Sequence, residues 1–155
     1  MAGSERVRAA LLEGGYLLPD SPTALGSYVP AVRVDGLVFT SGQLPMRAGS
    51  LMATGVVGAD VDEVAAADCA TQCALNALAA AMTVCDLDAV QRVVKLNGYV
   101  ASAAGFTAQP AVVNGASAVM LAAFGDAGKH ARAAVGVAAL PLGAPVEVEI
   151  ILSLS

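Results

Sequence analysis

Histidine occurs once in this 155-residue chain, tryptophan not at all, and cysteine three times. A single histidine, His130, leaves little for acid–base cleavage of a phosphodiester. Cys69, Cys73 and Cys85 leave one over from any pairing, which excludes a disulfide framework and fits a reducing compartment. Cys69 and Cys73 share a helix face, but no further Cys, His or acidic pair lies at ligand spacing. They read as small buried thiols, with no metal. Charge is also sparse: eight Lys and Arg against thirteen Asp and Glu, a net of −5, with no basic cluster. Phosphate-backbone binding needs such a cluster, so nucleic acid is not an expected partner. Although 57% of the residues are apolar, most are scattered alanine and valine. No run reaches the roughly 18 apolar residues of a membrane span, so no membrane association is expected. The opening "MAGSERVRAALLEGGYLLPD" carries Glu5, Arg6, Arg8 and Glu13 where a secretory signal is apolar. A cytoplasmic location is the expectation.

What is present reads as one α+β domain over 25–155, preceded by an arm or short helix over 1–24. Two β-rich runs flank Asp35-Gly36, a tight-turn signal, and predict strands over Ala31–Val34 and Leu37–Ser41. Asp60 stands three residues before Glu63, a capping-box-like spacing. It opens an alanine-rich helix to about Val84, with Val64, Leu75, Leu78 and Met82 near one face. From Val90 the period turns to two, with Val94, Leu96 and Val100 on one face and Lys95, Asn97 and Tyr99 on the other. Pro110 suits the first turn of a second helix with Val113, Met120, Leu121 and Phe124 in the core, and Gly125 suits its stop.

"GKHARAAVGVAALPLGAPVEVEI", Gly128 to Ile150, reads as a closing hairpin. Val146, Val148, Ile150 and Leu152 share one face, leaving Glu147 and Glu149 on the other. If the two strands pair antiparallel with their valines toward the helices, Arg132, Ala134 and Gly136 join the glutamates on the uncovered face. That face is too small and apolar for water, so another subunit is its expected cover. Pattern alone leaves two readings of Arg132: an exposed ion pair of little energy, or the fixed cation of a cleft.

The segments "LGSYVPAVRVDGLVFTSGQLP", "QPAVVNGAS" and "HARAAVGVAALPLGAPVEVEI" resemble, in order, the signature blocks of the Rid/YjgF family of enamine/imine deaminases, also called endoribonuclease L-PSP. The match runs from about Leu25 to Leu152, and the longer N-terminal arm and "FGDAGKHAR" resemble the family's larger subgroup. The resemblance implies a chorismate-mutase-like fold: a six-stranded mixed sheet with two main helices on one face, in a homotrimer with clefts between subunits. It places the family's carboxylate-binding arginine on Arg132 and its water-orienting glutamate on Glu147. Tyr28, Ser41, Gly42 and Asn114 match the remaining substrate-binding positions, with the Gly42 backbone a partner for the substrate carboxylate. A planar, permanently charged guanidinium suits bidentate recognition of a carboxylate.

The implied activity is hydrolysis of small 2-imino acids to 2-keto acids and ammonia. Such an electrophile needs positioning, water and proton transfer, and no metal or organic cofactor. Ala133 and Ala134 stand where active deaminases often carry serine and cysteine or another polar residue, so a non-catalytic trimer binding a small carboxylate-bearing metabolite is the alternative. A ribonuclease ranks third. His130 reads as a loop residue, Tyr28 equally as packing, Asn114 as an exposed helix residue and Gly42 as a turn former.

Overall fold

The chain folds in the order α1 (Glu5–Glu13), β1 (Ala31–Val34), β2 (Leu37–Thr40), β3 (Met46–Arg47), β4 (Ser50–Leu51), α2 (Glu63–Ala81), β5 (Val90–Ala101), α3 (Gln109–Phe124), β6 (Ala131–Val137) and β7 (Val146–Leu154). This structure, a computed structural model, describes residues 3–22 and 27–155. The expected α+β class holds, and α1 lies within the stretch read as an arm or short helix. The boundary expected between residues 24 and 25 lies outside the described residues. The main sheet has five strands rather than six, in the order β1-β2-β7-β5-β6, and β3 and β4 form a separate ribbon.

Local signals account for most element ends. Asp35 takes a left-handed φ of 52° and lets β1 turn directly into β2, pairing Val34 with Leu37. Pro110 sits in the first turn of α3, and Gly125, at φ 57°, ends it. The cap of α2 differs from the expectation. Asp62 is the residue that caps it, its Oδ1 accepting from Ala65 N at 2.8 Å, a contact worth about 1 kcal/mol. Asp60 instead closes the preceding turn by accepting from Val56 N at 2.9 Å. The helix ends at Ala81 rather than near Val84, and Val64 points to solvent at 74% exposure.

Alanine in α2 serves proximity as well as propensity. Ala66, Ala70, Cys73, Ala74, Ala77 and Leu78 are buried, and α2 packs on α3 and β7. At the crossing with α3, a side chain on Gly115 would run into the Ala67 carbonyl oxygen. Thr71 Oγ lies 3.1 Å from the Ala67 oxygen and 3.2 Å from the Gly115 oxygen, bridging the two helices. On α3, Val112, Val113, Val119 and Met120 are buried while Leu121, expected inside, is 44% exposed. By length and composition alone, α2 and Gln109–Gly128 could cross a membrane. In this fold their apolar faces pack on each other and on the sheet. Outside them, α1 rests on α3 through Val7 and Leu11, its first amides held by the Asp88 carboxylate.

The expected closing hairpin does not form. β5 lies between β6 and β7, parallel to β6 and antiparallel to β7. Parallel neighbours require a crossover, and α3 supplies it between β5 and β6. The register then reverses the predicted face of Arg132. Leu96 pairs with both Arg132 and Ile150, so Arg132 lies on the helix-covered side, as do Ala134 and Gly136. Ala134 packs against the core, and Gly136 abuts Gln109 and Ser102. Asn97 pairs with Ala133 and Glu149, and Tyr99 with Val135 and Glu147, so these residues form the opposite face. Its exposed apolar residues are others than expected: Val32, Val34, Phe39 and Val135 lie exposed on it, alongside the polar Asn97, Tyr99, Glu147 and Glu149. A bulge between Val93 and Lys95 also shifts the phase of β5, burying Val93 and turning Val94 outward.

Candidate functional site

Arg132 stands on β6, the sheet edge beside α3. Asn114 and Ser117 are one helical turn apart on α3 and so face β6 together. Arg132 Nη1 donates to Asn114 Oδ1 at 2.8 Å and to Ser117 Oγ at 3.2 Å. The guanidinium is half-buried, and among the described residues no carboxylate lies within ion-pair distance of it. Its Nε and Nη2 groups donate to nothing among those residues. The expectation of a possible Arg–Glu pair is therefore not met: the cation is held by two neutral oxygens and keeps one edge of its fork open.

His130 completes this cluster. Its Nε2 lies 2.9 Å from Ser117 Oγ and its Nδ1 faces the Gly128 carbonyl oxygen. Ser117 was not legible as a site residue, because only the crossover that brings α3 beside β6 connects it to Arg132.

The remaining candidates lie about the turn after β2 and along β7. Ser41 Oγ donates to the Val29 carbonyl at 2.7 Å, and its amide to Pro30 O at 2.8 Å, so Ser41 fastens the segment leading into β1. Gln43 exchanges two backbone hydrogen bonds with Val148, at 2.8 and 3.0 Å, laying this turn along β7. Gly42 thereby comes against Glu147 so closely that a side chain there would occupy the position of its carboxylate. The Gly42 amide donates to no group among the described residues. Tyr28 is 62% exposed. With Gly42, Pro30, Met46, Asn76 and Leu142 it lines a cavity of about 370 Å³.

The two glutamates of β7 have different environments. Glu149 Oε1 accepts from Tyr99 Oη at 2.7 Å and from Asn97 Nδ2 at 3.1 Å, a satisfied carboxylate. That bond, with burial and the glutamate charges, pushes the Tyr99 hydroxyl up to about 12. Glu147 accepts no hydrogen bond among the described residues, and burial, aided by the Glu149 charge, raises its pKa above the ordinary carboxylate value. It is half-buried and free to take a proton. The alternation of Asn97 and Tyr99 with Leu96 and Val100 was legible, but their partnership with Glu149 depends on β5 and β7 being neighbours.

One chain therefore brings Arg132 to Asn114 and Ser117, and Glu147 to Gly42, but does not bring Arg132 and Glu147 together. They occupy opposite faces, with β5 between their strands, a lateral separation of roughly 10 Å for two inter-strand spacings. The three cysteines are free and buried, and burial raises their thiols.

Residues 18–153 match the family described as endoribonuclease L-PSP. Protein TCP17 of Trypanosoma cruzi is 41% identical over 157 residues, covering 100% of this chain and 98% of its own. Among solved structures, Atu1372 from Agrobacterium tumefaciens, a protein described as of unknown function, is 43% identical with a TM-score of 0.89, covering 98% of this chain and 95% of its own. TdcF of E. coli, solved with bound serine, is 26% identical with a TM-score of 0.63, covering 87% of this chain and 94% of its own.

Proposed function

This chain belongs to the endoribonuclease L-PSP, or YjgF/Rid, family, and from that premise we propose that it hydrolyses small 2-imino acids to 2-keto acids and ammonia in clefts between the subunits of a homotrimer. The observation that carries this reading is the half-buried guanidinium of Arg132, anchored by Asn114 and Ser117 on one nitrogen and open on its other edge. A planar open fork of this kind fits a carboxylate bidentately. The serine bound to TdcF, a small amino acid with such a carboxylate, supports the ligand class.

The exposed apolar residues of the outer face support association, since Val32, Val34, Phe39 and Val135 would be covered by neighbouring subunits. Arg132 of one subunit then grips the substrate carboxylate, and the partner subunit's Glu147 holds the attacking water beside the partner subunit's Gly42. Glu147 takes a proton from the water as its oxygen adds to the imine carbon. That proton passes to the nitrogen and gives a carbinolamine; Glu147 then takes the carbinolamine's hydroxyl proton and delivers it to the amine, the C–N bond breaks as the carbonyl forms, and ammonia leaves the keto acid behind. A carboxylate whose pKa burial has raised is a better base for this step than an ordinary one.

A second reading, binding without turnover, is favoured by Ala134. It is the next residue of β6 on the same side as Arg132, and it offers no polar group to the reaction. The family's name also carries a nuclease reading, against which stand the eight basic residues spread without a cluster.

The test is an oxidase-coupled assay in which a panel of 2-imino acids is made in situ and keto-acid formation is followed. Wild type accelerates it and Arg132→Ala does not, while Glu147→Gln binds pyruvate normally but turns over slowly. Pyruvate binding without acceleration selects the second reading. Wild-type behaviour in Arg132→Ala removes both.

A further inference from the structure

The function proposed for Arg132 uses one edge of its guanidinium; the other edge is engaged by a relay that no part of that reaction requires. Ser117 Oγ lies 3.2 Å from Arg132 Nη1 and 2.9 Å from His130 Nε2, and His130 Nδ1 faces the carbonyl oxygen of Gly128. A carbonyl oxygen only accepts, so Nδ1 carries the ring proton. In the neutral ring Nε2 is then an acceptor, and the Ser117 hydroxyl donates to it. With its proton directed at His130, Ser117 turns its lone pairs toward Arg132. The polarity of the whole chain is thus fixed from the Gly128 carbonyl to the guanidinium.

The positions of the two ends make this more than a surface contact. His130 sits two residues before Arg132, at the entry to β6, in the segment that the short helical turn Gly125–Gly128 delivers from α3. Gly128 is buried against the α3 backbone, where a side chain would run into the Met120 carbonyl. The oxygen that orients His130 is therefore attached to a fixed part of the fold. Asn114, the other anchor of Nη1, is exposed, so on its own it holds Arg132 less firmly.

We infer that Ser117 and His130 are positioning residues for Arg132: the Nδ1–H form of His130 orients the Ser117 hydroxyl to accept from Nη1, which holds the open edge of the guanidinium toward a ligand carboxylate. The inference rests on the carboxylate-binding role of Arg132. It assigns His130 to ligand binding through two intervening groups, without contact to the reacting atoms.

Because His130 is the only histidine, nitrogen-15 NMR of the protein, followed over a pH series to the neutral ring, reads its tautomer without ambiguity. The expected spectrum shows a protonated Nδ1 and an unprotonated Nε2; a proton on Nε2 overturns the inference. Calorimetric titration with pyruvate supplies the second arm. Ser117→Ala weakens binding about tenfold, the equivalent of one hydrogen bond to a charged group. His130→Ala weakens it in the same direction, and Ser117→Thr, which keeps the hydroxyl, restores it. Unfolding temperatures close to wild type separate positioning from a loss of fold, and His130→Ala with the tautomer serves where Ser117→Ala does not fold. Wild-type affinity in Ser117→Ala and His130→Ala, with binding lost in Arg132→Ala, overturns the inference and leaves the role of Arg132 standing. Wild-type affinity in Arg132→Ala overturns the role itself.

Discussion

Gly42→Ala is the sharpest perturbation of the proposed chemistry, because it adds one methyl group where the structure has no room for it. That methyl would lie 2.9 Å from Glu147 Cδ and 3.2 Å from Glu147 Cγ, and closer still to one carboxylate oxygen. The turn cannot retreat easily, since Gln43 is pinned to Val148 by two backbone hydrogen bonds. The side chain of Glu147 must therefore rotate away. Glu147 accepts no hydrogen bond among the described residues, so this motion costs little stability: about 1 kcal/mol or less, the low end of overpacking, or about 2–4 °C in Tm for a chain of this length. Turnover responds differently. A displacement of about 1 Å in a group that orients a reactant can cost about a hundredfold in rate. The expected result is a hundredfold fall in kcat for imine hydrolysis with a nearly unchanged melting curve. Wild-type kcat in Gly42→Ala, with the variant folded, would refute the role of Glu147 as the water-holding group.

Glu147 also ties stability to pH. Its folded pKa is raised by burial and by Glu149, so the folded state holds the proton more tightly than the unfolded state, and ionisation at neutral pH opposes folding. Glu147→Gln is expected to raise Tm at pH 7 while slowing turnover, with the gain disappearing below about pH 4, where the unfolded carboxyl is also protonated; no gain at pH 7 would contradict the burial argument. In wild type, turnover should decline as pH falls through a value above the ordinary glutamate range, and a limb at or below that range would count against Glu147 as the base. Spectrophotometric titration should show one of the three tyrosines, Tyr99, ionising at about 12, a late step that Tyr99→Phe removes. Val135→Lys places a charge among the exposed apolar residues of the outer face, so sedimentation should find wild type as a trimer and the variant as a folded monomer without imine hydrolysis. A wild-type monomer would dispose of the inter-subunit cleft.

Wherever one short signal decides a local structure, the sequence was readable. Asp35-Gly36 places the first turn, Pro110 and Gly125 bracket α3, and alanine content makes α2 a helix. Small displacements arise where two residues compete for one role: Asp60 and Asp62 are both suited to a cap, and the loop geometry that gives Asp60 the Val56 amide leaves α2 to Asp62. The phase of β5 failed at a bulge, which inserts a residue without any compositional mark. Leu121 and Val64 failed because a helix rich in small apolar residues has no sharply bounded face, so alanine can lie inside where a larger residue was expected.

The larger error concerned adjacency, and it bears directly on the site. Arg132 and Glu147 are fifteen residues apart, and a hairpin is the shortest way to join such strands, yet β5 is long enough at twelve residues to pair on both edges and separates them. In a hairpin, Arg132 would have faced the glutamates, and the charges would have been free to neutralise one another in a single chain. The parallel pairing with β5 instead turns Arg132 toward α3, where Asn114 and Ser117 offer dipoles but no countercharge. Glu147 is left on the far face with its pKa raised. A chain arranged in this way leaves both Arg132 and Glu147 without a charged partner, and in the proposed assembly a second copy would bring the opposite face alongside. The topology that replaces the hairpin thus keeps the two half-sites apart within one fold, and under the proposed inter-subunit cleft it is this separation that a second chain and a carboxylate-bearing ligand at Arg132 would close.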